Sequence, residues 1–216
     1  MLRFFIGFDS AQADAAYACA RSMQRWVPAS NINFIRLDEM KKRGYYWRKD
    51  DGTGSTEFTY TRFLVPYLSG FTGHSVFCDS DFLWRRSPYE LLPYISFKDP
   101  VRVVKHNITP EMLESTKMNG KEQKWYPRKN WSSLMLFNND HCKALTPAAV
   151  STEKASWLHG FEWCKIDQTE ALPNRFNHLV GYYPDDADPV AAHFTDGGPW
   201  MAGYENVAFA EEWRSV

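Results

Sequence analysis

The sequence lacks paired cysteines and long apolar runs. Its four cysteines lie far apart with no Cys-x-x-Cys pair, which argues against a zinc knuckle or a disulfide framework. They are Cys19, Cys78, Cys142 and Cys164. No stretch approaches the length of a membrane span, and the apolar run at residues 2–8 is too short for a signal peptide. We therefore expect reduced thiols, no transmembrane segment and a cytoplasmic location.

The chain also has no excess of positive or negative charge. Lysine and arginine number 25 against 26 aspartates and glutamates, so the formal net charge is −1. No global field attracts nucleic acid or an anionic membrane, and we expect no nucleic-acid partner. Internal repeats and low-complexity tracts are absent as well. With 44% hydrophobic and 24% charged residues, the composition is that of a folded globular protein rather than a disordered one.

Aromatic residues, in contrast, are abundant. The chain has 15 Phe, 11 Tyr and 9 Trp, or 16% of its residues. Such rings either fill an unusually ring-rich core or provide surfaces on which sugar rings or bases stack. The sequence alone leaves both interpretations open.

The first segments predict parallel strands joined by a helix. Residues 2–8 are typical of a buried strand, residues 11–26 of an amphipathic helix, and residues 32–37 of a second strand. This order indicates a crossover unit whose ligands collect at the carboxyl ends of the strands. Asp9 lies at such an end, where it either caps the helix or holds a base or ribose. Further helices are predicted at 57–68 and at 147–163, the second with an interruption near residues 151–152. Strands or extended segments are predicted at 101–105, 131–138 and 172–183.

An Asp-x-Asp pair follows another apolar run. Asp79 and Asp81 sit between apolar residues, and strand alternation would turn both carboxylates to one face. Two such charges repel unless a cation lies between them. His193 follows small apolar residues, and with the two aspartates it gives a nitrogen and oxygen set that suits Mn²⁺ and tolerates Mg²⁺. The alternative is a pair of solvated loop aspartates and a histidine that binds no metal.

Two other features fit an anionic ligand. Arg62, in the middle of the predicted 57–68 helix, would offer a planar guanidinium to phosphate or sugar hydroxyls, or else form a salt bridge on a solvated face. Gly197 and Gly198 form a turn whose backbone N–H groups suit phosphate oxygens.

The order of these segments resembles glycosyltransferase family eight, which includes the glycogenins and bacterial lipopolysaccharide galactosyl- and glucosyltransferases. The matching segments are residues 4–9, 60–67, 76–84, 132–138, 172–177 and 193–200. The resemblance implies an α/β fold, namely one GT-A, Rossmann-like domain over residues 1–216 with a mixed, mostly parallel sheet. Residues 1–106 would be its nucleotide-binding half and 107–216 its acceptor-side half. The implied activity is metal-dependent transfer of a hexose, with retention, from a UDP-sugar to a glycan or lipid-linked glycan.

The resemblance also implies roles for individual residues. Asp79, Asp81 and His193 match the manganese site. The implied donor-binding residues are Phe8, Asp9, Arg62, Ser80, Lys105, Ser132, Ser133 and Gly197. Asp167 matches the acid beside the reacting carbon, with Glu162 as a rival for that catalytic role.

The chain departs from the family pattern near its end. Gly198 stands where the family has a lysine that pairs with the diphosphate, so Lys105 or an arginine would have to supply that charge. Lys105 and His106 stand where many members keep an acid. Two alternatives therefore remain, a nucleotide-sugar-binding module without catalysis and an Asp-x-Asp phosphatase with Asp79 as its nucleophile.

Overall fold

A computed structural model describes residues 2–49, 52, 54–113, 125, 127–165, 168–184 and 188–216. Within these ranges nine strands form two sheets. The strands are β1 Arg3–Gly7, β2 Ile32–Ile35, β3 His74–Cys78, β4 Phe82–Trp84, β5 Val101–Val104, β6 Leu134–Asn138, β7 Thr169–Leu172, β8 His178–Leu179 and β9 Ala191–His193. The α-helices are α1 Ala13–Gln24, α2 Leu37–Lys42, α3 Val65–Leu68, α4 Pro147–Thr152, α5 Ala155–His159 and α6 Ala210–Arg214.

The large sheet has six strands in the order β2-β1-β3-β6-β5-β7. Strand β1 runs parallel to β2 and β3, and β7 runs parallel to β5, whereas β6 is antiparallel to both of its neighbours. A smaller sheet has the order β4-β9-β8. These sheets belong to one α/β domain, and the predicted mixed, mostly parallel central sheet is confirmed.

Both faces of the large sheet are covered, which is why its central strands are apolar throughout. Phe5 and Phe77 point into one buried cluster, and Phe4 and Val76 point into the other. The abundant rings mainly build this core. The largest side chains with almost no exposure include Trp84, Phe4, Phe58, Phe63, Phe77, Phe82, Phe137, Phe161, Phe176 and Phe194.

Helix α1 follows its predicted pattern. Ala15, Cys19 and Met23 form its buried stripe against the large sheet. A 3₁₀ turn at Ser10–Gln12 precedes it, and the Asp9 carboxylate caps this turn by accepting a hydrogen bond of 3.0 Å from the Ala11 N–H. The capping interpretation of Asp9 is therefore confirmed.

Other predicted boundaries were wrong. The second strand ends at Ile35, and Leu37 begins α2, which was not predicted. In the predicted 57–68 helix, residues 57–60 form turns, Thr61–Leu64 is a 3₁₀ helix and only Val65–Leu68 is α-helical.

The later segments differ in detail. Strand β6 begins three residues later than predicted because Asn130, with a φ of 65°, starts a 3₁₀ turn at Trp131–Ser133. The predicted 147–163 helix is divided into α4 and α5, and the interruption expected near residues 151–152 is confirmed, since α4 ends at Thr152. Residues 172–183 are extended only in part, since Asn174–Phe176 is a 3₁₀ turn. Across the described ranges, no helix is both long and apolar enough to span a membrane.

Candidate metal and donor site

The acidic pair lies in the short connection between the two sheets. Strand β3 ends at Cys78, and β4 begins at Phe82, so a turn carries Asp79 and Asp81. The Asp79 N–H donates to the Ser133 carbonyl at 2.9 Å, which ties the turn to the neighbouring strand. The turn, rather than the predicted strand alternation, therefore positions both carboxylates.

Strand β9 brings His193 to this turn. His193 is paired with Phe82 in the antiparallel β4–β9 register, and the two rings stack with centroids 4.4 Å apart. The Phe194 N–H donates to the Asp81 carbonyl at 3.0 Å. As a result, ligand atoms of Asp79, Asp81 and His193 all lie within 4.8 Å of one another. The structure thus brings together all three predicted metal ligands.

The chemistry of this group suits a divalent cation. His193 is 1% exposed and Asp81 7%, and the His193 Nε2 lies 3.3 Å from an Asp81 carboxylate oxygen. A second carboxylate, from Asp79, stands beside them. Two carboxylates this close to one another repel unless positive charge is present. A Mn²⁺ or Mg²⁺ ion meets that need with ligand types that it prefers.

Arg62 already supplies one positive charge. Its Nη1 lies 2.8 Å from a carboxylate oxygen of Asp79 and donates to the Ser132 carbonyl at 3.0 Å. The guanidinium is buried close to the Phe58 and Phe77 rings. Of the two predicted roles the salt bridge is present, but it lies in the interior rather than on a solvated face.

The Ser132 hydroxyl also has a partner inside the protein. Its oxygen lies 2.9 Å from Nδ1 of His159. Burial, and then the nearby Arg62 charge, lowers the pKa of His159 to about 3, so this ring is neutral at neutral pH. Ser132 therefore links α5 to the arginine that holds Asp79.

The Ser133 hydroxyl belongs to a different set of contacts. It donates to the Asn130 carbonyl at 2.7 Å and accepts from Nδ2 of Asn177 at 2.9 Å. Oδ1 of Asn177 in turn lies 2.8 Å from Nδ1 of His193. The role of Asn177 was not predicted, although Phe176-Asn177 is part of the family resemblance.

The predicted base pocket lies at the end of β1. The Phe8 ring is buried and has the Arg36 guanidinium 3.6 Å from its centroid. The Asp9 carboxylate, besides capping the 3₁₀ turn, accepts from the Glu57 N–H at 3.4 Å. Phe8 and Asp9 thus contact Arg36 and Glu57 at the carboxyl end of β1, and their role in binding a base stays a prediction.

The other predicted donor contacts are placed as follows. Ser80 is buried in the acidic turn, and Lys105 is exposed after β5, with Nζ 5.6 Å from the Trp131 ring centroid. Gly197 lines a cavity of about 250 Å³ beyond β9. A Cβ on Gly197 would lie 2.7 Å from the Tyr204 ring, so a side chain does not fit there.

Of the two predicted catalytic acids, the described residues include one. Asp167 lies outside the described residues. Glu162 is exposed in the 3₁₀ turn Glu162–Cys164, and within the described ranges no hydrogen bond or ion pair connects it to the acidic turn. Their roles therefore stay predictions.

His106 is a second residue beside the site that the metal prediction did not include. Its Nδ1 lies 2.7 Å from the Tyr183 hydroxyl. Burial is the main cause that lowers the pKa of His106 to about 3. The Lys105-His106 pair was noted only as a departure from the family pattern, because a single histidine after a strand has no distinctive spacing.

Solved structures show which fold this is. No family profile matches the chain. The galactosyltransferase LgtC, in a complex with donor and acceptor sugar analogues, has a TM-score of 0.59 at 12% identity, and the match covers all of this chain and 94% of that one. The bifunctional glycosyltransferase WbbM has a TM-score of 0.65 at 15% identity, and the match covers 99% of this chain and 49% of WbbM. GlyE of Streptococcus pneumoniae gives 0.58 at 15% identity, and the match covers 60% of GlyE. At these identities the likeness shows the fold, and the predicted GT-A glycosyltransferase fold is confirmed.

One curated protein is similar in sequence as well. Protein CDI of Arabidopsis thaliana is 36% identical over 220 residues, a match that covers 98% of this chain and 84% of the plant protein. Identity of this level over almost the whole chain shows common family membership, and the chain belongs to the Protein CDI family.

Proposed function

We propose that the protein is a metal-dependent, retaining glycosyltransferase of the family-eight type that moves a hexose from a UDP-sugar to a glycan or lipid-linked glycan. The observation that carries this proposal is the convergence of Asp79, Asp81 and His193 between the two sheets of a GT-A fold. The proposal includes a cytoplasmic location and a place in polysaccharide biosynthesis.

In this proposal Asp79, Asp81 and His193 would hold Mn²⁺, or Mg²⁺ in its place. The ion would neutralise the diphosphate as it leaves, which requires no protein nucleophile. Arg62 orients Asp79 through their 2.8 Å ion pair. Phe82 fixes the plane of the His193 ring by stacking on it.

The remaining roles follow the family resemblance. Residues 1–106 would bind the nucleotide and 107–216 the acceptor. Within this scheme, Phe8 and Asp9 face the uridine, while Arg62, Ser80, Ser132, Ser133 and Gly197 line the donor. Lys105, exposed at the end of β5, would supply the diphosphate charge that Gly198 does not. Asp167 or Glu162 would stand beside the reacting carbon.

Nucleotide and metal titrations test the proposal. UDP, GDP, CMP and dTDP are each added with Mn²⁺, with Mg²⁺ or with chelator, and the melting temperature and heat of binding are measured. A ligand that binds only the folded state raises the melting temperature. We expect stabilisation by UDP that requires Mn²⁺, and transfer or hydrolysis of a UDP-sugar under the same conditions.

Asp81→Asn is the informative variant. It should fold but lose the Mn²⁺-dependent response and turnover, because a neutral amide is a weak metal ligand. Asp99→Asn is the matched control, since Asp99 pairs with Arg102 away from the acidic turn. An active Asp81→Asn enzyme would contradict the proposal. So would a wild-type protein whose melting temperature and heat of binding show no response to any of the four nucleotides.

One observation supports a second candidate, a nucleotide-sugar-binding module without catalysis. Gly198 occupies the position of the family's diphosphate lysine, so a contact of the catalytic site is absent there. Binding of UDP without transfer or hydrolysis across a panel of UDP-sugars would favour this candidate. The phosphatase alternative has less support, because Asp79 is paired with Arg62 instead of standing free as a nucleophile. Phosphate release from a simple phosphomonoester would favour the phosphatase alternative.

A further inference from the structure

A buried chain of hydrogen bonds connects His193 to the backbone of Asn130. Nδ1 of His193 lies 2.8 Å from Oδ1 of Asn177. Nδ2 of Asn177 donates to the Ser133 hydroxyl at 2.9 Å, and that hydroxyl donates to the Asn130 carbonyl at 2.7 Å. This series of hydrogen bonds therefore ends on the Asn130 carbonyl, which can only accept.

That fixed end determines the direction of every bond. A backbone carbonyl only accepts, so Ser133 must use its single hydroxyl hydrogen on Asn130. The Ser133 oxygen can then only accept from Asn177, which requires the amide NH₂ group to face it. The carbonyl of Asn177 is consequently turned toward His193, and Nδ1 of His193 must be the donor. The proton of the neutral imidazole is thereby assigned to Nδ1.

We propose that Asn177 and Ser133 are positioning residues that hold His193 in its Nδ1–H tautomer and so direct the lone pair of Nε2 into the acidic turn. The part of this inference that concerns metal affinity rests on the metal site of the proposed function. Nε2 faces an Asp81 carboxylate oxygen at 3.3 Å. In the assigned tautomer both of these atoms are acceptors, which is the arrangement that a cation between them requires.

Because these residues are buried, their hydrogen bonds determine which nitrogen of the His193 ring carries the proton. Asn177 is 0% exposed, His193 1% and Ser133 2%, so water has little access to a mismatched group. Rotating the Asn177 amide by half a turn would set its carbonyl against the Ser133 oxygen and its NH₂ against the His193 N–H. Buried polar groups in folded proteins nearly always have hydrogen-bond partners, so the rotated amide should be rare.

The tautomer can be measured directly in the metal-free protein. Histidine is labelled with ¹⁵N, and long-range ¹H–¹⁵N correlation spectra are recorded at a pH where the imidazole is neutral. The His193 signals are identified by their loss in His193→Gln. We expect the wild-type ring to show the Nδ1–H pattern. An Nε2–H pattern in the wild-type ring would overturn the inference.

Two adjacent serines provide a matched pair of variants. Ser133→Ala removes the group that orients the Asn177 amide, so the Nε2–H form should increase and Mn²⁺ affinity should fall by about 10- to 100-fold. Ser133→Thr keeps a hydroxyl and should restore both properties. Ser132→Ala is the control, because that serine is equally buried but bonds to His159, so the His193 tautomer should be unchanged.

If Ser133→Ala does not fold, Asn177→Leu removes the bond to Nδ1 itself and is also expected to give a mixture of tautomers. Unchanged tautomer and Mn²⁺ affinity in a folded Ser133→Ala or Asn177→Leu protein would overturn the inference. A wild-type protein with the Nδ1–H pattern and no affinity for Mn²⁺ would support the tautomer assignment while overturning the metal site of the proposed function.

Discussion

Arg62 brings a positive charge into an interior that also holds two aspartates. Its side chain is 7% exposed and that of Asp79 is 15% exposed, so water screens their ion pair weakly. Removing one member of a buried pair leaves the other charged and unsatisfied, which costs far more than losing a surface pair. Arg62 therefore stabilises the acidic turn when no ion is bound.

Substitution of Arg62 should separate its structural role from a role in binding the ion. In Arg62→Met we expect the free energy of unfolding of the metal-free protein to fall by about 3–5 kcal/mol. Added Mn²⁺ should restore more stability to the variant than to the wild type, because the positive charge beside Asp79 is then missing. Urea unfolding with and without Mn²⁺ measures both effects.

Arg102→Met is the control for this experiment. Arg102 pairs with Asp99, and both side chains are about a quarter exposed, so the loss should stay below about 1 kcal/mol. Equal losses in the two variants would show that the Arg62 pair is no more important than an ordinary surface pair.

His159 makes stability depend on pH. Its pKa in the folded protein is about 3, well below its usual value of 6.5. Between these values the unfolded chain binds a proton that the folded chain does not. This contribution to stability is therefore complete above pH 6.5 and is lost as the pH falls toward 3.

The variant His159→Gln should reduce that pH dependence. Glutamine keeps a polar group for Ser132 but does not titrate, so the decline in unfolding free energy between pH 6.5 and 4 should become shallower. Urea titrations at several pH values test this expectation. Parallel declines in wild type and variant would mean that His159 is protonated in the folded state.

At the scale of elements, the sequence predicts those segments whose local signals agree with their packing. Strand β1 and helix α1 combine an apolar run, an Asp9 cap and the buried stripe of α1, and both are found close to their expected bounds. Helix α2 has six residues and follows β2 almost directly, so no periodicity distinguishes it from a longer strand. Element boundaries this short depend on tertiary contacts.

The wrong start of the predicted 57–68 helix has a similar cause. The Phe58 ring lies over Gly7, where a Cβ would come within 2.5 Å of it. That contact between a turn and the end of β1 fixes the backbone at residues 57–60, and no local propensity encodes it. Distant packing overrides helical periodicity here.

The candidate site was predictable where chemistry identifies a residue type. Asp79, Asp81 and His193 were expected because few other side chains bind divalent cations. Asn177 and Ser133 are ordinary polar residues whose importance depends on which neighbour each one meets. Their roles emerge only from the distances in the folded chain.

Gly198 gives a prediction at this scale. A Cβ there would lie 2.0 Å from the Trp200 ring, which also packs against Phe194 and Trp213. Restoring the family's lysine with Gly198→Lys should therefore displace Trp200, lower the free energy of unfolding by about 1–3 kcal/mol and give no gain in UDP affinity.

Two further variants separate the effect of adding a Cβ at residue 198 from the effect of the lysine charge. Gly198→Ala should cost about as much stability as Gly198→Lys, since both place a Cβ against the ring. Gly54→Ala is the control, because its Cβ would meet its neighbours at ordinary contact distances. Tighter UDP binding by a stable Gly198→Lys protein would show that the loop accommodates the lysine.

For the whole molecule, the three proposed ligands join the two sheets. Asp79 follows β3 of the large sheet, whereas His193 ends β9 of the small one. An ion held by both would restrain the small sheet against the large sheet. The expected effect is slower opening of the strands nearest to the ion.

Hydrogen exchange measures that effect. With Mn²⁺ and UDP present, we expect slower exchange of the amides in β4 and β9 than in the metal-free protein. Amides of β7, at the edge of the large sheet farther from β3, should change little. A uniform change across both sheets would indicate general stabilisation rather than a link between them.

The spacing of these ligands also has a consequence for synthesis of the protein. Asp79 and Asp81 leave the ribosome long before His193. Strand β4 can pair with β9 only after β9 has been synthesised. Contacts between such distant positions form late, after the loops between them have closed. Nascent chains therefore carry the acidic pair without its histidine until β9 has been synthesised, and the proposed three-ligand ion site would form only after that point.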